Sequence, residues 1–240
     1  ARRIQYAVDY RRTVMGPDFD NCRLIFGEAD GFPGLTVDRF GPILVAQVLS
    51  LGMELRKPQL FALLLQTLRA GGEQIDAIYE RNDVKLRQKE GMEQGTGFVP
   101  LDGLRTDLGG HVTIRENGIL YDVDYIHGQK TGFFLDQKYN RRAAARLAPG
   151  KRVLDCFTHT GAFGLNCAAA GAASVVSVDV SEDALATARH NAELNGLQDH
   201  VEYLCADVFD LLTKLAEQKR GASRKSPPPP PLIPSPTTPS

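Results

Sequence analysis

The sequence predicts an α/β protein in which a small α+β region precedes strands that alternate strictly with helices. Three observations predict it. Residues 22–124 show hairpin and turn signals, residues after Asp124 switch to strand–helix–strand alternation, and eight of the 14 prolines fall in the last 20 residues. The boundaries that follow are 1–20 for an N-terminal helix and linker, 21–125 for the α+β domain, 126–220 for the alternating domain, and 221–240 for a Pro-rich tail.

Residues 1–15 read as a short amphipathic helix that stops near Gly16-Pro17. Cys22 to Phe26 reads as a strand, and Gly31-Phe32-Pro33-Gly34 as a turn. Leu35–Asp38 and Ile43–Val48 form a hairpin around Phe40-Gly41-Pro42. Leu60 to Leu68 is helical and stops at Gly71-Gly72. Ile75 to Glu80 is a further strand, and His111 to Asp124 a second hairpin turning at Asn117-Gly118.

Past residue 124, Gln137 to Leu147 is a helix. Arg152 to Asp155 reads as a short buried strand, and Gly161 to Ala170 as a helix closed by Gly171. Ser174 to Asp179 is a second strand, and Ser181 caps the helix that runs to Asn195. Val201 to Cys205 reads as a third buried strand, followed by a helix from about Val208 to Gln218. Strands joined by helices of this length make a parallel sheet, of which three strands are visible. The last segment, GASRKSPPPPPLIPSPTTPS, has the composition of a disordered tail.

Composition narrows the function classes. No run of about 18 apolar residues occurs, so no membrane-spanning helix is expected. The start, ARRIQYAVDYRR, lacks the apolar core of a signal peptide. Cys22, Cys156, Cys167 and Cys205 show no CxxC spacing and read as reduced thiols of a cytoplasmic protein, without a metal site. Residues 211–240 hold five basic residues and one acidic, leaving 23 basic and 28 acidic over 1–210. The folded part therefore lacks the overall basic footprint of a nucleic-acid binder. Arg2, Arg3, Arg11 and Arg12 form a local cluster that reads equally well as a solvated helix face.

In an open parallel sheet, ligands bind outside the carboxyl ends of the strands. Those ends carry Asp155, Asp179 and Asp207, and Cys156 to Gly164 runs from the first into a helix. This loop is not the dinucleotide fingerprint, so a cationic or zwitterionic nucleoside is expected rather than a pyrophosphate. Asp179 is placed for two ribose hydroxyls and Asp207 for an adenine edge. Each aspartate alone could equally cap a helix; the joint pattern favours a ligand. A second cluster, Gly128 to Gln137, sets Phe133 and Phe134 among Lys, Asp and Gln, an odd choice for a surface turn.

GEADGFPGLTVDRFG (27–41), IYERND (78–83), GQKTGFFLDQKYNR (128–141) and VLDCFTHTGAFGLNCAAAGA (153–172) resemble the class I S-adenosylmethionine-dependent rRNA methyltransferases. The subgroup they resemble methylates large-subunit rRNA at cytosine C5, and the resemblance covers about residues 1–220. It implies an incomplete Rossmann-like methyltransferase domain, with S-adenosylmethionine as cofactor and large-subunit rRNA as partner; a homodimer stays open. It also implies that Phe133, Phe134 and Gln137 line the methionine end of the cofactor. Asp155, Phe157, Thr158, His159 and Gly161 correspond to the first cofactor motif, Asp179 to the ribose-binding acid and Asp207 to the adenine-side acid. Residues 20–125 resemble the family's central RNA-side domain.

Methylation at C5 needs a thiolate that adds to C6 and a base that removes the C5 proton. In the family these follow the fourth strand, as an Asp-Pro-Pro motif and a later cysteine; neither is in this sequence. None of the four cysteines is a convincing substitute, so no nucleophile is assigned. The expectation is a chain truncated at both ends and inactive, with residues from about 221 an out-of-frame or mis-joined read. Two other functions compete. One is methylation of another acceptor, such as a guanine amino group or a protein side chain; the other is a non-catalytic RNA- or ligand-binding fragment.

Overall fold

The structure, a computed structural model, describes residues 1–224. Its contacts divide the chain into two units: residues 1–116 with 122–136, and residues 117–121 with 137 onward.

In the first unit, helix α1 (Arg2–Met15) precedes strands β1 (Asn21–Phe26), β2 (Leu35–Phe40) and β3 (Ile43–Val48). A short α2 (Leu51–Glu54) and the longer α3 (Lys57–Ala70) lead to β4 (Ala77–Arg81). A single turn, α4 (Leu86–Lys89), then precedes β5 (Thr96–Phe98). The strands form one sheet in the order β1-β2-β3-β4-β5. All neighbours are antiparallel except β3 and β4, which the connection through α3 makes parallel. Strand β5 is an element the hydrophobic pattern did not predict, because TGF is too short and too glycine-rich to carry an alternation.

The core of this unit is apolar and closed. Ile4 and Val8 of α1 and Phe61, Leu64 and Leu68 of α3 join Leu24, Val37, Leu44 and Ile78 of the sheet, each at most 1% exposed. Buried charged groups lie in the same unit as well, Asp38 and Arg81 among them, and these two are answered. Asp38, fully buried, accepts from Arg23 at 2.7 and 2.9 Å and from the Thr131 hydroxyl at 2.6 Å. Arg81 donates to the carbonyls of Tyr125 and Gly128 and pairs with Asp83. These bonds fix the loop 125–132. Gly128 belongs there because an added Cβ would lie 2.2 Å from the Asp124 carbonyl oxygen.

The hairpin of β6 (His111–Glu116) and β7 (Ile119–Asp124) turns at Asn117 and Gly118, both left-handed as a two-residue turn of this type requires. The second unit continues with α5 (Lys138–Leu147), β8 (Arg152–Cys156), α6 (Ala162–Ala169), β9 (Ser174–Asp179), α7 (Glu182–Leu194), β10 (Val201–Cys205) and α8 (Val208–Arg224). Its three strands are parallel, in the order β10-β9-β8. Ser181 caps α7 as expected, its hydroxyl accepting from the Ala184 amide at 3.2 Å.

Three expectations need correction. The strand Arg152–Asp155 is not buried: only Asp155 of β8 is, and Leu154 is 38% exposed. Strand β10 is buried only at Val201, and Cys205 is exposed. The cause is shared: each is an outer strand, paired on one edge only among the described residues. Third, α8 continues to Arg224, past both the expected helix end at Gln218 and the expected tail start at 221. Ala222 and Arg224 are good helix formers, and one glycine is too weak a signal to stop a helix. The Pro-rich segment itself lies outside the described residues.

Candidate functional site

The carboxyl ends of β8, β9 and β10 bring Asp155, Asp179 and Asp207 to one edge of the three-stranded sheet. The loop between β8 and α6 holds three left-handed residues in five: Phe157, His159 and Gly161. Only glycine adopts this freely, so Phe157 and His159 are strained by roughly 1–3 kcal/mol each. Hydrogen bonds hold them there. The Thr158 amide donates to the Val178 carbonyl at 2.9 Å, and the Gly161 amide to the Thr158 carbonyl at 3.0 Å. An added Cβ at Gly161 would meet that of Ala188 at 3.0 Å, so the close approach of α6 to α7 also requires glycine there.

The three carboxylates do different work. Asp155 is buried, and one oxygen accepts from both the Thr158 hydroxyl and the Gly164 amide. Burial pushes its carboxyl above the ordinary range, against those two bonds. Asp155 thus locks the loop to the start of α6. Asp179 is half-buried; it accepts from the His159 amide at 2.8 Å and from the Ser181 amide at 3.1 Å, one on each oxygen. Each oxygen keeps a lone pair for a further donor. Asp207 is exposed and one of its oxygens accepts from the amides of Phe209 and Asp210, capping α8. The capping role and a ligand role are therefore compatible at both positions.

Burial holds the His159 imidazole below its ordinary pKa, favouring its neutral form, with Asp179 acting against it. Phe157 is 59% exposed and its ring lies 5.7 Å from that of Phe209, itself 71% exposed. Two large aromatics paired in water at the strand ends offer an apolar platform for a planar ring. Phe209 escapes the sequence reading; an aromatic residue two positions after a strand-end Asp is the signal that could have found it. Of the second cluster, Phe133 is buried and Phe134 half-buried beneath the Lys130 ammonium, 4.8 Å from the ring centre, both in the first unit. Gln137 belongs to the second unit and accepts from the Asn140 side chain at 3.0 Å.

The array matches a ligand with a planar base and vicinal hydroxyls. Comparison with known proteins decides its class: the family model for S-adenosylmethionine-dependent methyltransferases matches residues 101–224, more than half of the chain. The chain belongs to that family. A relative from Photobacterium profundum named "Ribosomal RNA large subunit methyltransferase I" is 47% identical over 197 residues, covering 82% of this chain and 47% of its own length. A solved structure from Streptococcus mutans, described as a candidate methyltransferase of the same class, is 25% identical with a TM-score of 0.72. It covers 90% of this chain, which covers 54% of it. A second solved structure, a methyltransferase candidate complexed with S-adenosylhomocysteine, has the same score and identity, covering 90% of this chain and 53% of its own. The chain spans about half the length of the curated relatives it matches.

The residues of this family member fit S-adenosylmethionine. Asp179 has lone pairs left for two ribose hydroxyls, Asp207 is an exposed acceptor, and Phe157 with Phe209 suits an adenine face. Among the described residues no His, Cys, Asp and Glu group could hold a metal, and no helix is long and apolar enough to cross a membrane.

Proposed function

We propose that this chain binds the methyl donor for methylation of large-subunit rRNA, with C5 of cytosine as the acceptor atom. The observation that carries the reading is the triple strand-end array of Asp155, Asp179 and Asp207 in a chain whose curated relatives carry the name of a large-subunit rRNA methyltransferase. In this reading Asp179 binds the ribose hydroxyls and Asp207 the adenine side. Phe157 stacks with Phe209 on the base, and His159 and Gly161 shape the loop that Asp155 and Thr158 hold. Phe133, Phe134 and Gln137 serve the methionine end, and residues 21–125 form the RNA-side domain. The cofactor, when bound, supplies an electrophilic methyl group.

Cytosine C5 becomes nucleophilic when a thiolate adds to C6; afterwards the C5 proton leaves and the thiolate is expelled. The four thiols of this chain are poor candidates for that step. Burial pushes Cys22 up to about 12 and raises Cys156 and Cys167 as well. Cys205, exposed at the end of β10, has its sulfur 3.5 Å from the Val180 carbonyl oxygen and acts as a donor there. The chain is therefore proposed to bind cofactor without completing the transfer on its own.

Calorimetric titration with S-adenosylhomocysteine tests the cofactor role. Binding is expected, and Asp179→Ala should weaken it by about 1–3 kcal/mol, the size of charge-assisted hydrogen bonds. No binding to the unaltered chain would overturn the assignment. Incubation with labelled S-adenosylmethionine and large-subunit rRNA should leave 5-methylcytosine undetected; its formation would show that one of the four thiols serves after all.

A further inference from the structure

The outer strand of the first unit carries a pocket that the cofactor site does not use. It has a volume of about 350 Å³ and is lined by Lys57, Glu80, Asn82, Arg87, Thr96 and Phe98 among others. That is the lower end of the range for small-ligand sites, about 300–1,000 Å³. It has room for one nucleoside and not for a folded helix.

Its polar groups are unevenly engaged. Lys57 pairs with Glu54 at 2.7 Å and with Glu80 at 3.0 Å, so its charge is already answered. Arg87 is 5% exposed; its Nε donates to the Glu93 carbonyl at 2.7 Å and its Nη1 to Glu54 at 3.0 Å and to the Val48 carbonyl. Among the described residues its Nη2 has no hydrogen-bond partner, and it is not a sealed, buried orphan. A guanidinium nitrogen free beside a cavity is a donor for a ligand acceptor.

Strand register supplies more. Asn82 and Gly95 exchange backbone bonds at 2.9 and 3.3 Å, and the Val99 amide donates to the Ile78 carbonyl at 2.9 Å. Gly97, opposite Glu80 between these pairs, also faces β4. In an antiparallel ladder the alternate residues, Thr96 and Phe98, then direct their amide and carbonyl groups away from β4. As β5 is the last strand of the sheet, those groups stand at an open edge. Side chains alternate along β5, so the Phe98 ring lies on the face opposite Gly97 and Glu80, packed with Tyr79 and Tyr125 at 4.9 and 6.4 Å, and the Glu80 face is left to polar groups. Gly95 and Gly97 leave the approach clear: an added Cβ at either would meet no heavy atom within 4 Å.

We infer that this pocket takes one unpaired nucleotide of the RNA substrate. Arg87 and the edge amides would donate, and the edge carbonyls and Glu80 accept. The mixed donors and acceptors suit a base edge rather than a phosphate, because the two cations are already paired. An extended peptide strand is a poorer occupant, since β5 is three residues long and only two of them present edge groups. The inference rests on the RNA-acting reading above.

The test uses the full chain and a nine-nucleotide single-stranded RNA, followed by fluorescence anisotropy. Gly97→Leu fills the pocket from an open position and should weaken RNA binding at least tenfold. S-adenosylhomocysteine affinity and the melting temperature should be unchanged, and Gln88→Leu, on the exposed face of α4, should have no effect. Equal RNA binding by Gly97→Leu and the unaltered chain overturns the pocket while leaving the RNA reading intact. Failure of the unaltered chain to bind RNA while binding S-adenosylhomocysteine overturns both. Photocrosslinking of 4-thiouridine RNA to the unaltered chain needs no variant to fold: crosslinks at 94–98 support the site, and crosslinks only elsewhere overturn it. Competition by an extended peptide, with no competition by RNA, would assign the edge to a protein strand instead.

Discussion

Strands β2 and β8 are both short and each carries a buried aspartate, yet they live in different surroundings. In β2 five of six residues are buried, including the charged Asp38 and Arg39; in β8 only Asp155 is. Strand β2 has partners on both edges, whereas β8 is paired with β9 alone among the described residues. Burial here follows the number of strand and helix partners, not the hydrophobicity of the strand itself. The first unit uses its buried charges to anchor a loop, through Arg23, Asp38 and Thr131. The second uses its one buried strand acid to anchor the loop between β8 and α6.

The largest expected effect falls on the closed core. Phe61 of α3 is 1% exposed among Leu24, Leu44 and Leu64. Phe61→Ala should destabilise the first unit by about 3–5 kcal/mol, the sum of lost transfer energy and an unfilled cavity. Urea unfolding monitored by amide exchange would read it unit by unit. A loss confined to the second unit's amides would break the comparison.

Next in size is the acid that anchors the loop between β8 and α6. Asp155→Ala removes the shared acceptor of Thr158 and Gly164 and should cost the second unit about 2 kcal/mol, from two buried donors left unanswered. Asp155→Asn sharpens the point, because both bonds converge on one oxygen and a carboxamide can supply it. The sign of the pH effect follows from the raised carboxyl. Its stabilising contribution is fully present below the ordinary carboxylate pKa and is lost as pH rises through the higher folded value. Asp155→Asn should therefore flatten the decline in stability from acid to neutral pH. Urea midpoints over that range, unaltered chain minus variant, check it; a difference independent of pH would mean that Asp155 titrates normally.

Much of this architecture was legible. Alternation and glycine stops marked α3 and both hairpins, and Ser181 marked the start of α7, because these signals are local. The gathering of the strand-end acids at one sheet edge was legible because parallel strands point their carboxyl ends the same way, although the hydrogen bonds that tie Asp155 and Asp179 into the loop were not. Exposure of β8 and β10 escaped the sequence, since VLD and VEYLC read the same with one neighbour as with two. Strand β5 and its pocket escaped for the opposite reason: Gly95 and Gly97 give no pattern, and only pairing with β4 makes them a strand. Phe209 was hidden by being one apolar residue at the head of an amphipathic helix.

The smallest effect tests the open edge itself. A fully buried leucine contributes about 1.5–3 kcal/mol by removing its side chain from water. Leu154, 38% exposed on β8, already keeps much of its surface in solvent, and its truncation leaves a dent rather than a closed cavity. Leu154→Ala should therefore cost only about 1 kcal/mol, against several for Phe61→Ala in a strand-and-helix core. The comparison turns on that difference in size. A loss above about 2 kcal/mol would mean that β8 is covered in solution. Repeating the urea titration over a hundredfold range of protein concentration identifies the cover: a midpoint that rises with concentration points to a second copy on the β8 edge, and a constant midpoint to this chain's own residues.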